Sequence, residues 1–371
     1  MLIGYMHHRK TPFASKRAYA FASVAKSEGA ELLYFSPGAV DFENRVIHGY
    51  MYAGGQWAAA TSRWPDVIYN TASFSKDTQL AAAERLQLEI PFTSYSIGSK
   101  TTVFRNLTQY KTFANYLVPS EKVASVKHFF ALAERYPEMV FKPSSGHQGI
   151  DVYYIRKEAG ESSSFRVRLG AEESLYDTDQ LSQFVLEKIT REEFIAQPYI
   201  CCRTKFGEPY DFRLHVQKTT PGGMAPREEW TVSSIYPRIA PHGSIVCNIS
   251  QGGHLYKLSD FLEREFGKDA YDIQKTLEAF ALQLAAHMDE IQKDLYGEEL
   301  DELGIDIGLD TAQWEAPSPG NTHPVWRSLP KLYIYEVNWR PGYPPALYID
   351  LSVVKNTVRY AMFLAARKQG E

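Results

Sequence analysis

Apolar positions along the chain switch between two periods. Leu2–Met6, Glu31–Phe35 and 65–70 are short apolar runs that read as strands. Between them, Ala18, Phe21, Ala22 and Ala25 keep helical spacing over 16–28, and Gly29 supplies a stop. Residues 46–52 and 55–60 predict a hairpin turning at Gly54-Gly55, and 78–88 a helix. Strands alternating with helices predict a mostly parallel sheet over 1–95.

Further on, the pattern predicts a helix over 100–117, broken by Pro119, and another over 127–136. Strands are expected over 139–142 and 150–155, with a Ser/Gly loop between them, a polar turn over 158–164 and a helix over 178–188. Residues 194–200, 212–218, 231–239 and 244–248 read as antiparallel strands, with a hairpin tip inside 216–230. Residues 270–296 form the longest predicted helix. Strands over 303–309 and 332–337 flank a Pro-rich insertion at 314–330, and 353–366 is a closing helix.

Composition narrows the classes. At 371 residues the chain has room for two or three domains. Forty Lys+Arg against 44 Asp+Glu leave a formal charge of −4, so no strong net field points to nucleic acid or a membrane surface. No apolar stretch is long enough for a bilayer span, and the N-terminus lacks the order of a signal peptide. Three cysteines, Cys201, Cys202 and Cys247, with no CxxC, fit a reduced, cytoplasmic protein.

Four stretches could carry chemistry. In Val140-Phe-Lys142-Pro-Ser144-Ser145-Gly146-His147-Gln-Gly149, a strand delivers a lysine to a small-residue loop. Its backbone could approach phosphate oxygens, although the stretch alone fits a plain hairpin better. Phe194-Ile-Ala-Gln197-Pro-Tyr199-Ile200 is an apolar strand with polar interruptions. In Asp211-Phe-Arg213-Leu-His215-Val-Gln217 the four polar residues share one strand face, which means either a polar ligand or solvent. In Gly304-Ile-Asp306 and Glu336-Val-Asn338, two carboxylates and an amide oxygen could share a face and suit a hard cation such as Mg²⁺. Asp310 shares parity with Asp306 but falls where the hairpin should turn.

Taken in order, these motifs resemble the ATP-grasp superfamily: a helix-start lysine, Lys-Pro with a glycine loop, an apolar hinge strand, Asp-x-Arg, an Asn before Gly-Gly, then Asp and Glu-x-Asn-x-x-Pro-Gly. Within it, the chain looks most like the YheC/YheD-like, endospore coat-associated branch. The residues that carry this are Ile47-His-Gly49-Tyr-Met-Tyr52 before Trp57, Trp64-Pro65-Asp66-Val-Ile-Tyr69-Asn70, Pro209-Tyr-Asp211-Phe-Arg213, and Arg238 through Asn248 to Gly252-Gly253. A more distant resemblance runs to ribosomal-protein glutamate ligases and D-alanine–D-alanine ligases.

The resemblance implies an α/β (α+β) ATP-grasp fold. A pre-ATP-grasp α/β domain at 1–95 would precede two α+β subdomains, 96–195 and 196–371, that clasp a nucleotide. It implies ATP and Mg²⁺ as cofactors. Lys100, Lys142, Ser144, Ser145, Gly146 and Gly149 would hold phosphates, with Lys111 a rival for Lys100. Gln197, Tyr199 and Ile200 would hold adenine, mostly through backbone groups. Asp306, Glu336 and Asn338 would hold the metal, with Asp310 a rival for Asp306. Arg213, Arg238 and Asn248 would serve the γ-phosphate and the acyl substrate. The implied activity is an ADP-forming carboxylate–amine ligase acting through an acyl-phosphate. Its partners would be small-molecule or peptide acids and amines, with no nucleic acid, no membrane and a homodimer left open. The alternatives are a spore-associated ATP-binding protein without turnover and a kinase on the same fold.

Overall fold

The computed structural model describes residues 1–71, 74, 76–144, 150–158, 164–220, 228–311, 330–342 and 347–370. The first unit contains β1 (Leu2–Met6), α1 (Lys16–Ser27), β2 (Glu31–Phe35), β3 (Val40–Asp41), β4 (Val46–Ala53), β5 (Gln56–Arg63), β6 (Val67–Asn70), α2 (Asp77–Gln87) and β7 (Phe92–Thr93). They form a seven-stranded sheet in the order β3-β4-β2-β1-β6-β7, with β5 on β4. The β1, β2, β6 and β7 pairings are parallel, whereas β4 runs antiparallel to β2, β3 and β5. The sheet is therefore mixed rather than mostly parallel. The Gly54-Gly55 turn, with φ of +60° and +83°, folds β5 straight back on β4 without a crossover helix.

Helix α3 (Lys100–Tyr110) follows the first unit and packs Val103 and Leu107 into the core of the third sheet. The second unit contains β8 (Glu121–Lys122), α4 (Val126–Arg135), β9 (Glu138–Pro143), β10 (Tyr153–Lys157), β11 (Phe165–Leu169), β12 (Glu172–Tyr176), α5 (Thr178–Arg191) and β13 (Phe194–Pro198). Its antiparallel sheet runs β12-β11-β10-β9-β13-β8. Phe129 and Leu132 of α4 and Leu181 and Val185 of α5 close its core against Phe141 and Phe194. Serine caps start α3 and α4, and Asp177 with Gln180 forms a capping box on α5. The helix predicted over 100–117 stops at Tyr110. Lys111 takes φ +66°, and Phe113 turns into the core against Phe280, ring centroids 5.6 Å apart. Burying that ring outweighs continuing the helix. No strand is predicted over 165–176, yet β11 and β12 form there. Their outer faces are polar, so the period-2 signal is weak.

The third unit contains β14 (Tyr210–Thr219), β15 (Glu229–Ile239), β16 (His254–Leu255), α6 (Leu258–Phe266), α7 (Ala270–Tyr296), β17 (Glu302–Asp310), β18 (Lys331–Trp339) and α8 (Leu347–Gly370). Its antiparallel sheet runs β16-β15-β14-β17-β18. Phe212, Leu214, Ile305 and Ile307 pack one sheet face against Leu277, Leu284 and Met288 of α7. Each such side chain contributes about 1.5–3 kcal/mol on burial. Residues 244–248 are not a strand. Gly243 (φ +81°) and Gly252 (φ +88°) bend this segment back on itself, and the Gly253 N–H donates to the Asn248 carbonyl at 3.1 Å. The hairpin tip at 221–227 and most of the Pro-rich insertion lie outside the described residues. Val354, Val358 and Ala361 of α8 share a core with Phe21, Tyr34 and Tyr69 of the first unit.

Candidate functional site

A cavity of about 680 Å³ lies between the second and third sheets. Strand alternation builds its floor. Met139, Phe141, Phe194 and Ala196 point into the core, so Val140, Lys142, Ile195 and Gln197 face the cavity. The register sets Val140 beside Gln197 and Lys142 beside Ile195. The result is an apolar slot with an amide at one end and an ammonium at the other. Beyond Gln197 the chain leaves the sheet through Pro198, Tyr199 and Ile200, all on the wall. The Tyr199 N–H donates to the Glu138 carbonyl at 2.9 Å and fixes this exit. Ser144 also lines the cavity, its N–H bound to the Glu193 carbonyl at 2.8 Å. Ser145, Gly146, Gly149 and His147 lie outside the described residues.

The start of α3 forms the opposite lip. The Ser99 hydroxyl accepts the Thr102 N–H at 3.2 Å, so the helix begins at Lys100, whose side chain lines the cavity. Lys111 sits at the other end of α3, away from the cavity wall. Lys100 Nζ lies 3.1 Å from Glu336 Oε1. Lys142 is pulled down to about 8 from its ordinary value, first by burial in the cavity wall and then by the charge of Lys100, against the pull of Glu336.

The third sheet supplies the acids. Asp306 and Glu336 are direct cross-strand partners on β17 and β18. A bulge after Asp306 pairs Ile307 with Ile334 and leaves Tyr335 as the extra residue. Neighbours on a regular strand point to opposite faces, but here Tyr335 and Glu336 both reach the cavity. Tyr335 lies over Gly308, where an added Cβ would come within 2.1 Å of its hydroxyl. The buried Asp306 carboxylate accepts Arg213 Nη2 at 2.9 Å, with Arg213 Nε also donating, and lies 3.1 Å from Arg238 Nη2. Arg238 in turn donates to both Asp211 oxygens, at 2.7 and 2.6 Å. Burial raises the Asp306 pKa, but the Arg238 and Arg213 charges outweigh it and hold the carboxyl below its usual range. Burial drives Asp211 the other way.

The sequence-predicted residues separate clearly. Lys100, Lys142, Ser144, Gln197, Tyr199, Ile200, Asn248, Asp306 and Glu336 share the cavity wall. Arg213 and Arg238 stand behind Asp306. Asn338 faces Gly304, one pleat beyond Glu336, and does not line the cavity. Asp310 pairs with Lys331 at the hairpin end, also off the wall. The face carrying His215 and Gln217 is buried rather than solvated. His215 Nε2 lies 2.8 Å from Glu302 Oε1, and Gln217 donates to Thr357 of α8 at 2.9 Å. Sequence reasoning missed Tyr335 and the wall role of Asp211. No local signal marks Tyr335: the register partner of Gly308 is Tyr333, and Tyr335 is the bulged residue between the Glu336 and Ile334 pairs. Cys202 and Cys247 also line the cavity, but burial raises both thiols, so neither is a ready nucleophile.

Among the described residues no three His, Cys, Asp or Glu side chains gather as a metal set. The acidic pair Asp306 and Glu336 is still an all-oxygen donor set of the kind Mg²⁺ takes when phosphates and water complete its shell. No helix of the described residues is long and apolar enough to cross a membrane.

A model of YheC/D-like ATP-grasp proteins matches residues 89–314. The endospore coat-associated protein YheD of Bacillus subtilis (strain 168) is 23% identical over 380 residues, spanning 98% of this chain and 78% of YheD. The endospore coat-associated protein YheC of the same organism is 20% identical over 298 residues, spanning 78% of this chain and 79% of YheC. Among solved structures, D-alanyl-alanine synthetase A of Vibrio cholerae O1 biovar eltor str. N16961 matches with a TM-score of 0.50 at 11% identity, over 100% of this chain and 99% of that one. The ATP-grasp ligase PsnB, complexed with a phosphomimetic precursor variant, Mg and ADP, matches with a TM-score of 0.50 at 10% identity, over 98% of each chain. At these identities the structural likeness is one of fold.

Proposed function

Because the chain belongs to the YheC/D-like ATP-grasp family, we propose that it is an ATP-dependent ligase joining a carboxylate to an amine. One observation carries the reading: a cavity with an apolar slot at one end and Lys100, Lys142, Asp306 and Glu336 converging at the other. The slot between Val140, Ile195 and the Gln197–Ile200 exit suits a purine. Lys142 and Lys100 then meet the phosphates. Mg²⁺ held by Asp306 and Glu336 would neutralise charge developing on the transferred phosphoryl group. A substrate carboxylate oxygen attacks the γ-phosphorus, ADP leaves, and an acyl-phosphate forms. The amine then attacks the acyl carbon and displaces phosphate. Arg213 and Arg238 keep Asp306 ionised and aimed. Positioning and charge neutralisation do the work, so no acid–base triad is needed.

The names of the curated relatives give coat association alone, which motivates a second reading: a coat-associated protein that binds ATP without turning it over. Release of ADP and phosphate across a panel of amino acids, peptides and amines separates the two. Acid- and amine-dependent ADP supports ligation; tight ATP binding with no turnover supports the coat reading; a stable phosphorylated product without ligation identifies a kinase. In the ligase case, Glu336→Gln is expected to lower turnover about a thousandfold, several kcal/mol on the barrier. Full activity in that variant overturns the metal assignment.

Lys142 adds a pH signature. In the free protein it holds its proton below about 8, whereas its ordinary value is 10.5. A bound phosphate favours the charged form and raises it. Below pH 7 the proton is already present, so binding takes up none. Near pH 9 binding should take up close to one proton, and affinity should fall as pH rises through about 8 and beyond. Calorimetry in two buffers of different ionisation enthalpy reads this directly. Equal heats in both buffers near pH 9 would exclude Lys142 as the phosphate contact.

A further inference from the structure

The two carboxylates assigned to the metal, Asp306 and Glu336, are already matched by the protein's own cations. Asp306 is shared by Arg213 and Arg238. Glu336 is held by Lys100 at 3.1 Å. These two matches differ in kind. The Asp306 pairs are buried on both sides, with the Asp306 and Arg238 side chains each 5% exposed. The Lys100–Glu336 pair is half-open, its side chains 38% and 26% exposed. Arginine forks locked in a buried network keep their place, whereas a lysine on a flexible stem at a helix start can leave.

The surroundings of Lys100 decide when it leaves. It sits at the N-terminus of α3, where the helix adds positive potential, and Lys142 shares the cavity. A divalent cation arriving alone would have to displace Lys100 from Glu336. That would leave two ammonium groups and two guanidiniums around an added dication, with no new anion. A polyphosphate reverses the balance, because it offers Lys100 and Lys142 an anionic partner and frees Glu336.

Resting on the nucleotide reading above, we propose that Lys100 and Glu336 are an exchange pair. Lys100 closes the acidic site to free divalent cations and opens it by transferring to the phosphates, so metal and nucleotide enter only together.

Mn²⁺ is the probe, its binding read by water-proton relaxation on the full chain, with ADP as nucleotide. In the wild type, Mn²⁺ alone is expected to bind at least tenfold more weakly than Mn²⁺ with saturating ADP. Lys100→Met should tighten binding of Mn²⁺ alone about fivefold to tenfold while weakening ADP. Lys100→Arg, which keeps the charge, should preserve the exclusion and serves as the folded control. Equal Mn²⁺ affinity with and without ADP in the wild type overturns the exchange, as does unchanged affinity for Mn²⁺ alone in Lys100→Met. With ADP still bound by the wild type, either outcome overturns the exchange and leaves the nucleotide reading standing. No ADP binding under any condition overturns the nucleotide reading and the exchange with it.

Discussion

Asp306→Ala is expected to lower the free energy of unfolding by about 3–5 kcal/mol, the range for removing one partner of a buried ion pair. Asp306 is the anion shared by Arg213 and Arg238, and it is 4% exposed. Removing it leaves two guanidiniums close together in the sheet interior, with Asp211, the partner of Arg238, to compensate. Glu336→Gln, which removes the other carboxylate assigned to the metal, should cost no more than about 1 kcal/mol, because its pair with Lys100 is partly solvated. Urea denaturation of both variants checks the contrast. Similar midpoints for the two would mean that the arginine network does not hold this face of the sheet. The pH dependence follows the same logic. The folded pKa of Asp306 lies below its ordinary 3.8, so its stabilising contribution is complete above that value and is lost as pH falls through the lowered one.

Lys142→Ala is expected to weaken a non-hydrolysable ATP analogue about a hundredfold. Removing a charge-assisted contact from a water-poor wall costs about 1.5–3 kcal/mol. Calorimetric titration with and without Mg²⁺ measures it. Lys142 is the group to test because its place depends only on strand alternation in β9, which also sends Phe141 into the core. The variant therefore removes a cavity cation without touching the packing below it. Lys111→Ala should leave affinity unchanged, since Lys111 lies at the far end of α3. Undiminished affinity in Lys142→Ala would move the phosphate site elsewhere along the cavity.

Much of this was legible from local pattern. The alternation of Val140 and Lys142 with Met139 and Phe141, and of Asp211 and Arg213 with Phe212 and Leu214, is a period-2 signal that assigns faces without any knowledge of neighbours. The spacing of Glu336 and Asn338 likewise put them on one face. Face is not depth, however, and the sequence could not rank residues along it. Asp306 and Glu336 meet the cavity, while Asn338 lies one pleat beyond, because the positions of α3 and β13 decide where the cavity ends. The extra residue Tyr335 escaped parity altogether, since a bulge breaks the alternation on which parity rests.

The same division explains the polar face of β14. Sequence alone established that Asp211, Arg213, His215 and Gln217 share a side, and left open whether that side met ligand or water. It meets neither uniformly. Asp211 reaches the cavity, Arg213 pairs with Asp306 behind the wall, and the Gln217 end is sealed by α8, more than a hundred residues away in the chain. The chain's own residues thus determined which side chains face together and which chemistry they offer. Tertiary structure decided which of them are buried, which cation neutralises which acid, and where the chain turns inward at Phe113. Those outcomes depend on contacts between segments far apart in sequence, and no local period carries them.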